Sequence, residues 1–219
     1  MDVNKAFRFV FNDKQWISKL LIAIVMSLLS FFIVPALVLQ GYVVKLIRQV
    51  MGSQDNDLPE WMDYGKMLRD GLLVTVGQLI WVLPFMVLFF ILAAVTGGLS
   101  DAAEYSRGIV SAAATGSGLL LACLVILMIV AFLFLTPALL IQFAREDEFA
   151  ALFRFGEIFD IIRDNMADIL IAFLVSVVVS LAIGAVSAVL LLIPILGWAA
   201  IVLLALASGP YIQFVTGHL

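Results

Sequence analysis

The chain has 219 residues, 64% hydrophobic and 13% charged, with a mean hydropathy of +1.19. Soluble domains are about 45–50% apolar and roughly 25% charged, so a soluble core cannot absorb this excess and lipid is the expected solvent. The net charge of −4 argues against nucleic acid, one Cys (Cys123) excludes an intrachain disulfide framework, and one His (His218) excludes a multi-His metal site within one chain.

In chain order, residues 3–16 are too charged to span. The first apolar run follows Trp16 and lacks a small-residue cleavage site, so it reads as a retained membrane segment, not a signal peptide. As one helix, 17–50 would measure roughly 50 Å at about 1.5 Å per residue, against a hydrocarbon core of ~30 Å. It is expected to fold as a hairpin, 18–34 and 36–50, turning at Pro35; a re-entrant pair is the open alternative. A polar loop, 51–58, follows.

Residues 58–71, LPEWMDYGKMLRDG, read as a helix on the membrane surface. Asp57 and Glu60 fit a capping box, and Pro59 falls in the first turn. Trp61, Tyr64, Leu68 and Leu72 share one face, with Asp63, Lys66, Arg69 and Asp70 mostly on the other. Gly71 is expected to redirect the chain into a span over 72–98. A loop over 99–116 carries Asp101, Glu104 and Arg107, and 117–143 spans again. Residues 144–165 read as amphipathic, 167–192 as a span, 193–198 as a turn and 199–216 as the return.

The expected fold is all-α: a polytopic membrane bundle of about six membrane helices in three hairpins, each preceded by an amphipathic cytoplasmic-surface helix. On this map Lys5, Arg8, Lys14, Lys19, Lys45, Arg48, Lys66, Arg69, Arg145, Arg154 and Arg163 gather on one side, and Arg107 stands on the other. The positive-inside rule then places both termini in the cytoplasm. Trp16, Trp61, Tyr64, Phe153 and Phe155 are the expected interfacial anchors.

Repeats run through this single domain of 1–219. Phe-Arg-Phe occurs at 7–9 and 153–155, Tyr64-Gly65 is matched by Phe155-Gly156, and IVP (33–35) is echoed by LIP (192–194). The units 3–50, 57–143 and 149–216 read as parallel repeats of one plan.

AFRFVFNDKQW, GYVVKLIRQVMG and LPEWMDYGKMLRDGL together resemble the hallmark run of a prokaryotic membrane-protein family, domain-of-unknown-function family 4013. The run covers about the first third of the chain. The family pattern has an acid straight after the Trp, where Met62 stands here and Asp63 follows. The resemblance implies a prokaryotic plasma-membrane protein and supplies no activity or catalytic residue.

Chemical motifs are sparse. TGSGLL (115–120) lacks the spacing and Lys of a phosphate-binding loop, and no G-x-S-x-G elbow is present. Cys123 reads as an apolar filler and His218 as solvated. The runs Asp55–Asp57 and Glu146–Glu148 read as wet faces beside helix starts, as do Glu60, Asp63 and Asp70. Neither catalytic nor metal-ligating residues are expected, and no cofactor. The parts of the spans at hydrocarbon depth hold no Asp, Glu, Lys, Arg or His, which argues against proton relays and many ion-coupled transporters. Ser176, Ser180, Gly184 and Ala188 form an i+4 ridge suited to close helix contact.

These features favour a non-catalytic membrane scaffold or accessory subunit. It would act through membrane lipid and a membrane-protein partner or self-association. The alternative is a transporter or lipid-handling protein holding an apolar ligand between hairpins, suggested by Gln78 and breaks at Pro84, Pro137 and Pro194. A membrane enzyme is disfavoured, because no nucleophile, base or metal set converges.

Overall fold

The computed structural model describes residues 10, 13–52, 57–105, 109–190 and 196–218. Its helices are α1 (Trp16–Leu28), α2 (Ile33–Met51), α3 (Tyr64–Tyr105), α4 (Ile109–Glu146), α5 (Phe155–Asp164), α6 (Met166–Leu190) and α7 (Leu196–His218). Short 3-10 turns cover Leu29–Phe31 and Phe149–Phe153. No strand occurs among the described residues. Four stretches in them are long and apolar enough to cross a membrane: Ile33–Met51, Tyr64–Leu99, Thr115–Glu146 and Met166–Ala188. The described chain is therefore all-α, with four helical stretches of membrane-spanning length and apolarity. The first Phe-Arg-Phe with Arg8, Asp55, Arg107 and the LIP turn at 192–194 lie outside the described residues.

The first hairpin turns at Phe32, three residues before Pro35. Phe32 is extended (φ −85°, ψ 130°) and its N–H closes the 3-10 turn on Leu29 O at 2.8 Å. Pro35 instead occupies the first turn of α2, where a missing N–H leaves no bond unmade.

The surface helix expected over 58–71 does not form as a unit. Residues 58–63 are an irregular strap, and helix begins only at Tyr64. The carbonyls that a helix would use are taken by tertiary donors, and Asp63 is left-handed (φ 62°). Such a conformation stops a helix from propagating backwards, and Asp tolerates it better than most residues. The capping box of Asp57 and Glu60 is thus replaced. Nor does Gly71 redirect the chain: α3 runs straight through it.

The loop expected over 99–116 is largely helix, because α3 continues to Tyr105 and α4 resumes at Ile109. This stretch is rich in Ala and free of Pro, which favours helix once its neighbours are helical. Pro84 and Pro137 lie inside continuous helices, not at breaks. The described core divides in two. One part centres on Tyr42, Leu46, Trp61 and Phe214, and the other on Val44, Val74, Leu139 and Phe143.

Candidate functional site

Two features stand out: a polar clamp at the charged helix ends, and an open cleft beside it. The clamp is built on the strap. Lys19 Nζ, 8% exposed, donates to Asp13 Oδ2 at 2.5 Å and to Leu58 O at 2.5 Å. The Leu58 N–H returns a bond to Asp13 Oδ2 at 3.0 Å. Tyr42 Oη donates to Pro59 O at 2.9 Å, Lys45 Nζ to Glu60 O at 2.7 Å, and Gln49 Nε2 to Asp57 O at 2.7 Å. Trp61 stacks on Tyr42 with ring centroids 4.0 Å apart, and its indole N–H reaches Lys19 O at 3.1 Å. Burial alone would raise the Asp13 carboxyl. The Lys19 ammonium and the amide N–H groups of Gln15 and Leu58 outweigh it and hold the group below the ordinary carboxylate range.

A second knot ties three helices. Arg48 Nη1 meets Asp70 Oδ2 at 2.5 Å, its Nη2 meets Asp147 Oδ1 at 2.7 Å, and its Nε donates to Ala144 O at 3.3 Å. The guanidinium also lies 5.5 Å from the Phe143 ring centroid. Asp70 is 2% exposed, and its Oδ1 has no partner among the described residues. Above this knot α2 and α3 touch backbone to backbone. A Cβ on Gly41 would stand 1.8 Å from Met67 O, and one on Gly71 1.8 Å from Leu37 O. Only glycine allows that approach.

The cleft, about 450 Å³, opens between α2, α4, α6 and α7. Asn165, Asp168, Gln213 and Thr216 stand toward the helix ends that also carry the clamp. Further from those ends it is lined by Phe132, Leu133, Ala172 and Phe173, with Gln40, Thr136 and Ser176 among them. The Ser176 and Thr216 hydroxyls donate to carbonyls of their own helices, each at 2.8 Å, which spares the cleft two free donors. A smaller polar pocket of about 260 Å³ lies among Gln142, Arg145, Glu157 and Asp160. Its buried Gln142 donates to Glu157. Among the described residues no group of three His, Cys, Asp or Glu could hold a metal.

Residues 24–193 match the family described as Protein of unknown function (DUF4013). The chain belongs to this family. No curated protein and no solved structure matches it. The family match spans the strap, both clamp glycines and the α3–α4 hairpin, and stops before α7.

The other residues singled out in this family member fall as follows. Trp61 is buried inside the clamp and does not face outward; it is drawn in by Tyr42 and the Lys19 carbonyl. Tyr64 is half-exposed, Lys66 and Arg69 are exposed, and Trp16 packs against the first core cluster. Phe155 is exposed, with its ring 4.8 Å from Trp81, and Phe153 sits 5.3 Å from Phe149. Arg154 faces Glu146, Glu148 and Glu157 at 3.5–3.7 Å, and Arg163 is exposed. Ser176 of the ridge reaches the cleft; among the described residues Ser180, Gly184 and Ala188 are exposed, and a Cβ on Gly184 would meet none of them within 4 Å. Sequence reading missed Asp13, Tyr42, Gly41 and Asp168. Gly41 was open to discovery, as a glycine in an otherwise bulky helix just before a Tyr.

Proposed function

We propose that this protein is a non-catalytic integral membrane protein that holds the acyl part of a membrane lipid, or a similar apolar ligand, in the cleft. The cleft carries the reading. Its size falls within the ~300–1,000 Å³ of small-molecule sites. Its lining is mostly apolar, and Asn165, Asp168, Gln213 and Thr216 gather toward one end, with Gln40, Thr136 and Ser176 as further polar side chains along it, an arrangement that suits an amphiphile. The Lys and Arg distribution supports a cytoplasmic location for both termini, for the clamp and for the polar end of the cleft. The family resemblance supports a prokaryotic plasma membrane. In this reading the clamp fixes the helix ends that frame the cleft, and Asp13, Lys19, Arg48 and Asp70 are structural groups.

The test is native mass spectrometry after mild extraction, with lipid analysis of the same sample. A stoichiometric lipid is expected on the wild-type chain, and its loss from Ala172→Trp, which fills part of the cleft. Equal lipid on both would sink the reading. A second reading, a scaffold or accessory subunit, is favoured by the open surroundings of Gly184. It expects a stoichiometric protein partner that Gly184→Leu releases.

A further inference from the structure

We infer that the first hairpin is re-entrant: it enters from the cytoplasmic face and turns back within that leaflet. Its tip, Phe31 to Val34, is a wedge among acyl chains, and neither α1 nor α2 crosses the membrane.

The glycine contact supplies a fixed point. Residues 37–41 of α2 touch residues 67–71 of α3 at backbone distance. From Leu39 to Ile33 is six helical positions, about 9 Å, and the two positions beyond add at most about 7 Å at extended length, so Phe31 lies within about 16 Å of that contact, whatever the crossing angle. Charge on α3 ends at the same level, with Lys66, Arg69 and Asp70, and none recurs before Asp101. The tip therefore reaches no more than about 16 Å past the last charges, near the middle of a core ~30 Å thick and well short of its far side. If the hydrocarbon boundary lies further along α3, the tip is shallower still. The α3–α4 hairpin, by contrast, continues to Tyr105.

The chemistry of the tip agrees. No charged residue occurs between Lys19 and Lys45. Phe31, Phe32, Ile33 and Val34 are 93%, 63%, 75% and 56% exposed. A hairpin that crossed would push these four side chains into far-side water or headgroups with no charged residue beside them. Backbone in hydrocarbon must satisfy its own polar groups, and this turn largely does. The Phe32 N–H bonds Leu29 O at 2.8 Å, the Ser30 hydroxyl donates to Met26 O at 2.8 Å, and Pro35 removes a first-turn N–H from α2. The first arm, Trp16–Phe31, is a shorter apolar helix, roughly 24 Å long against ~30 Å of core. The second arm has the length, but Lys45 and Arg48 are tied to the strap and to Asp70, leaving only its outer part free to enter lipid.

The inference replaces six crossings with four, by α3, α4, α6 and α7, and leaves the sidedness of every Lys and Arg unchanged. It bears on depth, not on the cleft, so it can fail while the proposed function stands.

The test is a depth profile. In a Cys123→Ala background, nitroxide labels are placed on single cysteines replacing Ile17, Leu21, Val25, Leu28 and Phe31. All five side chains are more than half exposed, so the labels displace no packing. The full chain is reconstituted in phosphatidylcholine vesicles, and collision with oxygen is compared with collision with a water-soluble nickel chelate. A re-entrant hairpin gives an oxygen-to-nickel ratio that climbs without reversal, several-fold higher at Phe31 than at Ile17. A ratio that peaks near Leu21 to Val25 and falls again at Phe31 shows a crossing and overturns the inference. A flat, low profile puts the hairpin among the headgroups and also overturns it.

Discussion

Lys19 and Asp13 form an ion pair at 2.5 Å with side chains only 10% and 5% exposed. Removing one partner of such a pair leaves a buried charge uncompensated, which costs about 3–5 kcal/mol. Asp13→Asn should therefore lower the melting temperature in detergent well below that of wild type at neutral pH. Because the folded carboxyl is held below its ordinary value, its contribution is present above the unfolded value of about 3.9. It is lost as pH falls through the lower folded value. Wild type should thus lose stability in that acid window more steeply than Asp13→Asn, and parallel melting curves from pH 7 to 3 would contradict the assignment. Trp61→Phe keeps the stack on Tyr42 but removes the indole N–H donated to the Lys19 carbonyl, which retains its place in the α1 ladder, at a cost of about 0.5–1.5 kcal/mol. None of this was legible in the sequence. Trp61 reads as an interfacial anchor because aromatics beside charges usually are. Nothing local announces that Tyr42 and Lys19 hold prior claims on the ring and on the strap carbonyls.

At the level of helices, the glycine contact between α2 and α3 makes the sharpest prediction. Gly41→Ala and Gly71→Ala each drive a methyl group into backbone that side-chain rearrangement cannot relieve. Overpacking of this kind typically costs about 1–3 kcal/mol. Gly65→Ala, also in α3 but with nothing within 4 Å, should be neutral or stabilising by up to about 1 kcal/mol. Gly184→Leu should leave the melting temperature of the isolated chain unchanged. Thermal unfolding of the four variants in one detergent checks the ordering, and a Gly184→Leu loss as large as that of Gly41→Ala would contradict it. The sequence drew attention to a different set of small residues. Ser176 to Ala188 repeat at helical spacing, whereas Gly41 and Gly71 are isolated in sequence and meet only through the fold. The membrane-length helices, in contrast, were readable, because lipid leaves a long apolar helix few alternatives. The strap was not, because its backbone is satisfied by residues distant in sequence.

Over the whole molecule, the charged ends of α2, α3 and α4 converge on Arg48, while Gly97 lies far along α3. Single cysteines at Glu148 and Gly97, both exposed, should react with an impermeant maleimide from opposite sides of sealed vesicles in the Cys123→Ala background. Labelling of both from one side would refute the orientation. The apolar class and the family were legible from composition and from the first third of the chain. The cleft was not, since four helices each supply a few of its residues and none carries a local signature. One property of the clamp bears on biosynthesis. The hydrogen-bonding residues that anchor 57–61 (Asp13, Lys19, Tyr42, Lys45 and Gln49) precede them in the chain. A nascent chain can thus close the strap as soon as it leaves the ribosome, before the long α3–α4 hairpin has been made. Arg48 then waits half-exposed for Asp70 and, about a hundred residues later, for Asp147. For Arg48 the order of synthesis sets the order of pairing, and its last ion pair, with Asp147, reports that α4 has come back to the side from which α3 departed.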